Sequence, residues 1–76
     1  MKMTKIDVGG MMSERNVNKL NAILKESIFG VKMADVVLKE QAVYIIIDDH
    51  IDVESIKNII RHAGYTPELH ISWIIS

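Results

Sequence analysis

The sequence contains no cysteine among its 76 residues. Without a thiol, the chain forms neither a disulfide nor a thiolate metal site of its own. Charge of one sign is also lacking, because 9 Lys and Arg face 10 Asp and Glu and the formal net charge is −1. A chain so nearly neutral is not expected to bind nucleic acid.

Long apolar runs are absent as well. No stretch approaches the roughly 20 apolar residues of a membrane span, so no direct membrane insertion is expected. Lys2 and Lys5 are not followed by the continuous apolar segment of a signal peptide. We therefore expect a cytoplasmic protein. The length predicts a single domain over residues 1–76, and the apolar content of 49% is enough for a core.

The hydrophobic periodicity predicts six elements in the order βαββαβ. The expected strands are residues 3–8, 31–38, 42–47 and 69–75, and the expected helices are residues 14–29 and 53–63. Ser13 and Asp52 precede the helices as N-caps, and Gly30 and Gly64 follow them as C-caps. The continuous apolar run "AVYIII" at 42–47 is typical of a central strand.

This order predicts an α+β, ferredoxin-like fold, in which a four-stranded antiparallel sheet carries two helices on one face. The first and third strands are then central, and the last strand lies at an edge. Leu69, Ile71, Trp73 and Ile75 share one face of that strand, which is unusually apolar for an edge. We expect Trp73 to be a core or a dimer contact, and Leu69–Ile75 to be the segment through which a homodimer would form.

Residues 6–16 read "IDVGGMMSERN". This stretch resembles the first strand and loop of heavy-metal-associated domains, which occur in copper chaperones and at the N-termini of metal-transporting ATPases and read I-x-V-x-G-M-T-C-x-x-C. Gly30-Val31 and Gly64-Tyr65 resemble two further landmarks of that family. The resemblance covers Met3 to Pro67 and implies the same ferredoxin-like fold.

The chain departs from the family at the metal-binding positions. Ser13 and Asn16 stand where the family has its two cysteines, and Met12 stands where it has threonine. The family's copper chemistry depends on two soft thiolates, whereas a hydroxyl and an amide are neutral and hard. No cofactor is therefore expected. Met12, Ser13 and Asn16 are the candidates for any weak Cu(I) or Zn(II) binding that the resemblance leaves open.

The resemblance then implies a degenerate domain that acts as a protein-interaction or regulatory module. Its expected partner is a protein, such as a domain of a metal-transporting ATPase, which would contact an interaction loop. We expect Met11 in the core and Tyr65 packed over this loop. The interaction loop comprises Gly10, Met11, Met12, Ser13, Glu14, Arg15, Asn16 and Tyr65.

Two other functions stay open at this point. One is copper trafficking with altered ligands around Met12, and the other is a small-ligand-sensing ferredoxin-like dimer. An enzyme is not expected, because no acid, base and nucleophile converge in the sequence. Arg15 alone is too little for the phosphate cradle of an acylphosphatase. Tyr44 is the one aromatic residue on the central strands, too few for RNA recognition.

Overall fold

The computed structural model describes residues 1–10, 13–27 and 31–75. A short 3-10 turn at Leu38–Glu40 joins the second and third strands. The strands are β1 (Lys2–Gly9), β2 (Val31–Val37), β3 (Ala42–Ile47) and β4 (Thr66–Ile74), and the helices are α1 (Glu14–Ser27) and α2 (Val53–His62). The predicted helix end at Phe29 and the predicted C-cap Gly30 lie outside the described residues.

The four strands form one sheet in the order β2-β3-β1-β4, and each neighbouring pair is antiparallel. The predicted ferredoxin-like fold is therefore confirmed, with β1 and β3 at the centre. The helices α1 and α2 contact β2 and β4 respectively, and they also contact each other. No helix within the described ranges is long and apolar enough to cross a membrane.

The core lies between the sheet and the helices. Strand β1 alternates, so that Thr4, Ile6 and Val8 are buried while the residues between them are half-buried. The helices contribute one apolar stripe each at helical spacing, as their sequences predict. The side chains with no exposed surface include Ile6, Leu20, Leu24, Val43, Ile45, Ile47, Ile56 and Ile60.

Helix α2 has well-defined ends. The Asp52 carboxylate accepts a hydrogen bond from the Glu54 N–H at 3.0 Å, as expected of an N-cap. At the other end Gly64 has φ +97°, a conformation that only glycine adopts readily. The Gly64 N–H donates to the Arg61 carbonyl and the Tyr65 N–H to the Ile60 carbonyl, which is a Schellman motif. This motif fixes where Tyr65 leaves the helix.

The structure corrects two expectations. Strand β4 begins at Thr66 rather than Leu69, because Pro67 pairs with Val8 on an edge strand where a missing N–H is tolerated. Of the two roles expected of Trp73, a core residue or a dimer contact, the structure excludes the core residue. Its side chain is 41% exposed and pairs with Met3 on the sheet face opposite the helices, which the alternation within an isolated strand does not reveal.

Candidate functional site

The candidate site lies where β1 ends, beside the residue that follows α2. Gly9 pairs with Thr66 across the sheet, which brings Gly10 next to Tyr65. Gly10 has φ +92°, and a Cβ atom at this position would lie 3.7 Å from Cδ1 of Tyr65. The half-buried Tyr65 ring also packs against the hydrophobic core. The start of the loop is thus held against an aromatic ring by strand pairing and by the Schellman motif.

Ser13 occupies the N-cap position of α1. Its carbonyl accepts a hydrogen bond from the Val17 N–H at 3.1 Å, which begins the helix. Its hydroxyl oxygen accepts from the Asn16 N–H at 3.4 Å, a long and therefore weak bond. Ser13 thus caps the helix by accepting a hydrogen bond from the backbone of Asn16, and these are the two residues that the resemblance aligns with the family's cysteines.

The first turn of α1 presents a polar surface. Ser13, Glu14 and Arg15 are exposed, and Asn16 is half-buried. Glu14 lies at the positive end of the helix dipole, which stabilises its charge. Among the residues that the structure describes, neither Glu14 nor Arg15 forms an ion pair within 4.0 Å. Both charges are therefore directed at solvent from this turn.

The donor set of this turn does not suit Cu(I). A serine hydroxyl and an asparagine amide are neutral oxygen or nitrogen donors, whereas Cu(I) prefers thiolates and thioethers. The predicted residues Met11 and Met12, which carry the thioethers, lie outside the described residues. Over residues 1–10, 13–27 and 31–75, no three His, Asp or Glu side chains gather in a metal-binding group. His50, His62 and His70 belong to three separate segments.

Sequence reasoning missed one neighbour of the loop, Glu68. Its carboxylate oxygen Oε1 would lie 3.8 Å from a Cβ atom placed on Gly9. Glu68 therefore brings a negative charge to the β4 side of the loop. The antiparallel register between Gly9 and Thr66 is the signal that locates it, and that register is a long-range property of the sheet.

A second polar cluster lies on the sheet face opposite the helices. The Tyr44 hydroxyl donates to Oε1 of Glu40 at 2.7 Å, and Lys5 Nζ lies 3.8 Å from the same oxygen. Lys5 Nζ also lies 3.9 Å from Asp7 and 5.9 Å from the centre of the Tyr44 ring. The hydrogen bond to Glu40 raises the pKa of Tyr44, with loss of solvent and the charges of Glu40 and Asp7 adding to the effect. This exposed network ties the hairpin of β2 and β3 to β1.

A small groove of about 230 Å³ lies between the two helices. It is lined by Ile23, Ile59, His62 and Ala63, so it is mainly apolar. Among the described residues that line it, His62 is the one with an ionisable side chain.

The fold and the site define the class of this protein. It is a ferredoxin-like domain in which Gly10, at the end of the first strand, lies beside an aromatic residue after the second helix, and the first turn of the first helix exposes polar side chains. No protein-family model matches the chain. No curated protein sequence matches it either.

Solved structures that resemble it are copper-handling proteins. A CopZ metallochaperone superposes with a TM-score of 0.81 and 28% identity, covering 87% of this chain and 98% of its own. A copper-binding domain from HMA7, a P-type ATPase, superposes with a TM-score of 0.80 and 26% identity, and the match covers 100% of this chain and 96% of that domain. The yeast copper transporter domain Ccc2a superposes with a TM-score of 0.82 and 26% identity, and the match covers 91% of this chain and 94% of that domain. The likeness to heavy-metal-associated domains is confirmed, and the two metal-binding cysteines of that family are absent.

Proposed function

We propose that this protein is a degenerate heavy-metal-associated-type domain, which serves as a protein-interaction or regulatory module and does not bind Cu(I) tightly. One observation carries the proposal. The chain shares its fold with copper-binding domains over most of their length yet contains no cysteine, and the resemblance sets Ser13 and Asn16 where that family has its thiolates. Such a domain has no need of catalytic residues, so we expect no enzymatic activity. A cytoplasmic setting suits this role.

The proposed contact surface is the loop between β1 and α1 with Tyr65. Two features support a protein partner there. The glycine–tyrosine contact holds the start of the loop in place, which lowers the ordering cost of binding. Glu14 and Arg15 are exposed charges of opposite sign, which can select a partner of complementary pattern.

The proposed partner is a domain of a metal-transporting ATPase. Two of the similar structures are domains of P-type ATPases, one copper-binding and one from a potential copper-translocating enzyme. Two ferredoxin-like domains of this size can meet through their loops without a large rearrangement. In this role the chain occupies the docking surface of a copper-carrying domain without delivering an ion.

The metal half of the proposal is tested by Cu(I) titration in competition with a chelator. The unmodified protein is expected to leave Cu(I) on the chelator. The double variant Ser13→Cys/Asn16→Cys is expected to remove it, because it restores two thiolates in the loop. The matched control is Ser55→Cys/Asn58→Cys, which puts two thiols at the same spacing on exposed positions of α2.

The outcomes separate the alternatives. Equal Cu(I) affinity of the two double variants would show that the loop does not form the family's metal site, and the assignment of Ser13 and Asn16 would be wrong. Tight binding by the unmodified protein would instead support copper trafficking through altered ligands.

The interaction half is tested by NMR with an isolated copper-binding domain of a P-type ATPase. Addition of that domain is expected to shift the resonances of Gly10, Ser13–Asn16 and Tyr65. Arg15→Glu should weaken binding, whereas Lys25→Glu should not, although both replace an exposed cation of α1 with an anion. Equal effects of the two variants, or no shift at any ratio, would contradict docking through this loop.

A further inference from the structure

Strand β4 is exposed along almost its whole length. It is the last strand in the order β2-β3-β1-β4, so within residues 1–10, 13–27 and 31–75 no strand lies along its outer edge. Among its nine residues only Pro67 is partly covered. Leu69, Ile71 and Ile74 are 78%, 64% and 71% exposed, and Trp73 is 41% exposed. An apolar edge strand of this kind is a template for pairing with another strand.

The backbone groups that point outward can be identified from two contacts. The Ile75 N–H donates to the Met1 carbonyl at 3.0 Å, so residue 75 faces β1. Because backbone groups alternate along a strand, His70, Ser72 and Ile74 present theirs to the open edge. The Thr4 and Ser72 hydroxyls lie 2.7 Å apart. This short distance agrees with an outward-pointing Ser72 backbone, because side chains come closer in a non-hydrogen-bonded pair.

The two edges of the sheet differ in charge. Strand β2, the other edge, has Lys32 and Asp35 exposed within its seven residues, and such charges oppose strand addition. Residues 69–75 contain no Lys, Arg, Asp or Glu, and Glu68 lies just before them. The β4 edge therefore accepts a second strand without a like-charge clash, provided that the pairing leaves Glu68 outside it.

We propose that two copies of this chain pair antiparallel through β4, with the two-fold axis at Ser72. Ser72 then faces its own counterpart, and His70 faces Ile74 of the second copy in both directions. All the outward-pointing residues enter hydrogen-bonded pairs, which gives about six backbone hydrogen bonds across the axis. The two sheets join into one continuous sheet of eight strands.

The side chains favour the same register. Ile71 of each copy lies opposite Trp73 of the other, on the face away from the helices. That face already carries an apolar row, since Met33 pairs with Ile46, Ile46 with Met3, and Met3 with Trp73. The dimer extends this row from one sheet into the next.

A neighbouring register is worse. Moving the axis from Ser72 to Ile71 pairs His70 with Ser72 and Ile74 with Glu68, which brings a charged side chain into the paired segment. The register about Ser72 keeps Glu68 outside the pairing, gives the three outward-pointing residues hydrogen-bonded partners, and is self-complementary as a two-fold interface requires.

The expected affinity is modest. The paired segment, residues 69–75, spans roughly 20 Å at about 3.3 Å per residue. An interface of this kind falls near or below the roughly 1,000 Å² of specific, stable complexes. The dimer should therefore form and dissociate reversibly with concentration. The inference is independent of the proposed loop function, because it uses neither the loop nor a metal.

Mass measurement by sedimentation tests the dimer. From low micromolar to near-millimolar protein, the unmodified chain is expected to move from the monomer mass to twice that mass. Ser72→Pro removes an outward N–H and should stay monomeric, whereas Ser72→Ala keeps that N–H and should dimerise. Both variants lose the Thr4–Ser72 side-chain hydrogen bond, so they form a matched pair.

Hydrogen exchange on the unmodified chain provides a second test that needs no variant. The amides of His70, Ser72 and Ile74 should exchange more slowly as the concentration rises, while that of Lys32 on the other edge should not change. A monomer at every concentration, equal dimerisation of Ser72→Pro and Ser72→Ala, or concentration-independent exchange at the three amides would each overturn the proposal.

Discussion

The contact between Gly10 and Tyr65 makes a quantitative prediction for Gly10→Ala. A non-glycine residue at φ +92° costs about 1–2 kcal/mol of folding free energy. The new methyl group would lie 3.7 Å from the Tyr65 ring, which is ordinary van der Waals contact, so no clash adds to that cost. A chain of 76 residues has a total stability of roughly 4–11 kcal/mol, so the loss is measurable.

Gly9→Ala is the matched control, one residue away. Gly9 has no positive φ, and the atoms nearest to its added Cβ lie 3.8 Å and 3.9 Å away, on Glu68 and Thr66. Alanine therefore fits, and it lowers the entropy of the unfolded chain, which stabilises the fold by about 0.4–1 kcal/mol. The entropy contribution is the same for both substitutions, so they should differ by the strain alone, about 1–2 kcal/mol in the free energy of unfolding.

Urea unfolding followed by circular dichroism measures this difference. With a slope of about 1 kcal/mol/M for a small protein, the midpoint of Gly10→Ala should lie roughly 1–2 M below that of Gly9→Ala. Gly64→Ala repeats the test in open space, because Gly64 has φ +97° and no atom within 4 Å of an added Cβ. Equal midpoints for Gly9→Ala and Gly10→Ala would refute the reasoning, since strain at Gly10 is then not what shapes the loop.

Two further predictions concern a helix end and the exposed sheet face. Asp52→Ala should destabilise the protein by about 1 kcal/mol, and Ser13→Ala by less. The reason is that the capping hydrogen bond of Asp52 is 3.0 Å long, whereas that of Ser13 is 3.4 Å long. Thermal unfolding of the two variants measures the difference in stability. The raised pKa of Tyr44 means that the folded state favours the neutral phenol, which contributes to stability. That stabilisation is fully present below the pKa of tyrosine in the unfolded chain, about 10, and is lost as the pH rises through the pKa of Tyr44 in the folded protein. In a Tyr65→Phe background, tyrosinate absorbance should show that Glu40→Gln lowers the pKa of Tyr44, and an unchanged pKa would exclude Glu40 as the cause.

Much of the candidate site could be predicted from the sequence because its determinants are local. Ser13 precedes an amphipathic segment and caps it, and Gly64 follows one and ends it. The absence of cysteine is a property of composition that no fold can alter. The position of Glu68 beside the loop could not be predicted, because it depends on a pairing between residues almost 60 positions apart in the chain.

Local sequence patterns are enough to predict most of the helices and strands, their order, and the absence of thiolate chemistry. Hydrophobic periodicity, helix caps and the run at 42–47 are short-range signals, and each acts within a few residues of where it is read. Three features could be read only from the folded chain: the face on which Trp73 lies, the backbone groups of β4 that point to the open edge, and the pairing of Tyr44 with Lys5 across the sheet. These features follow from strand register. A shift of one residue in that register moves every side chain to the opposite face, so no local pattern can specify them.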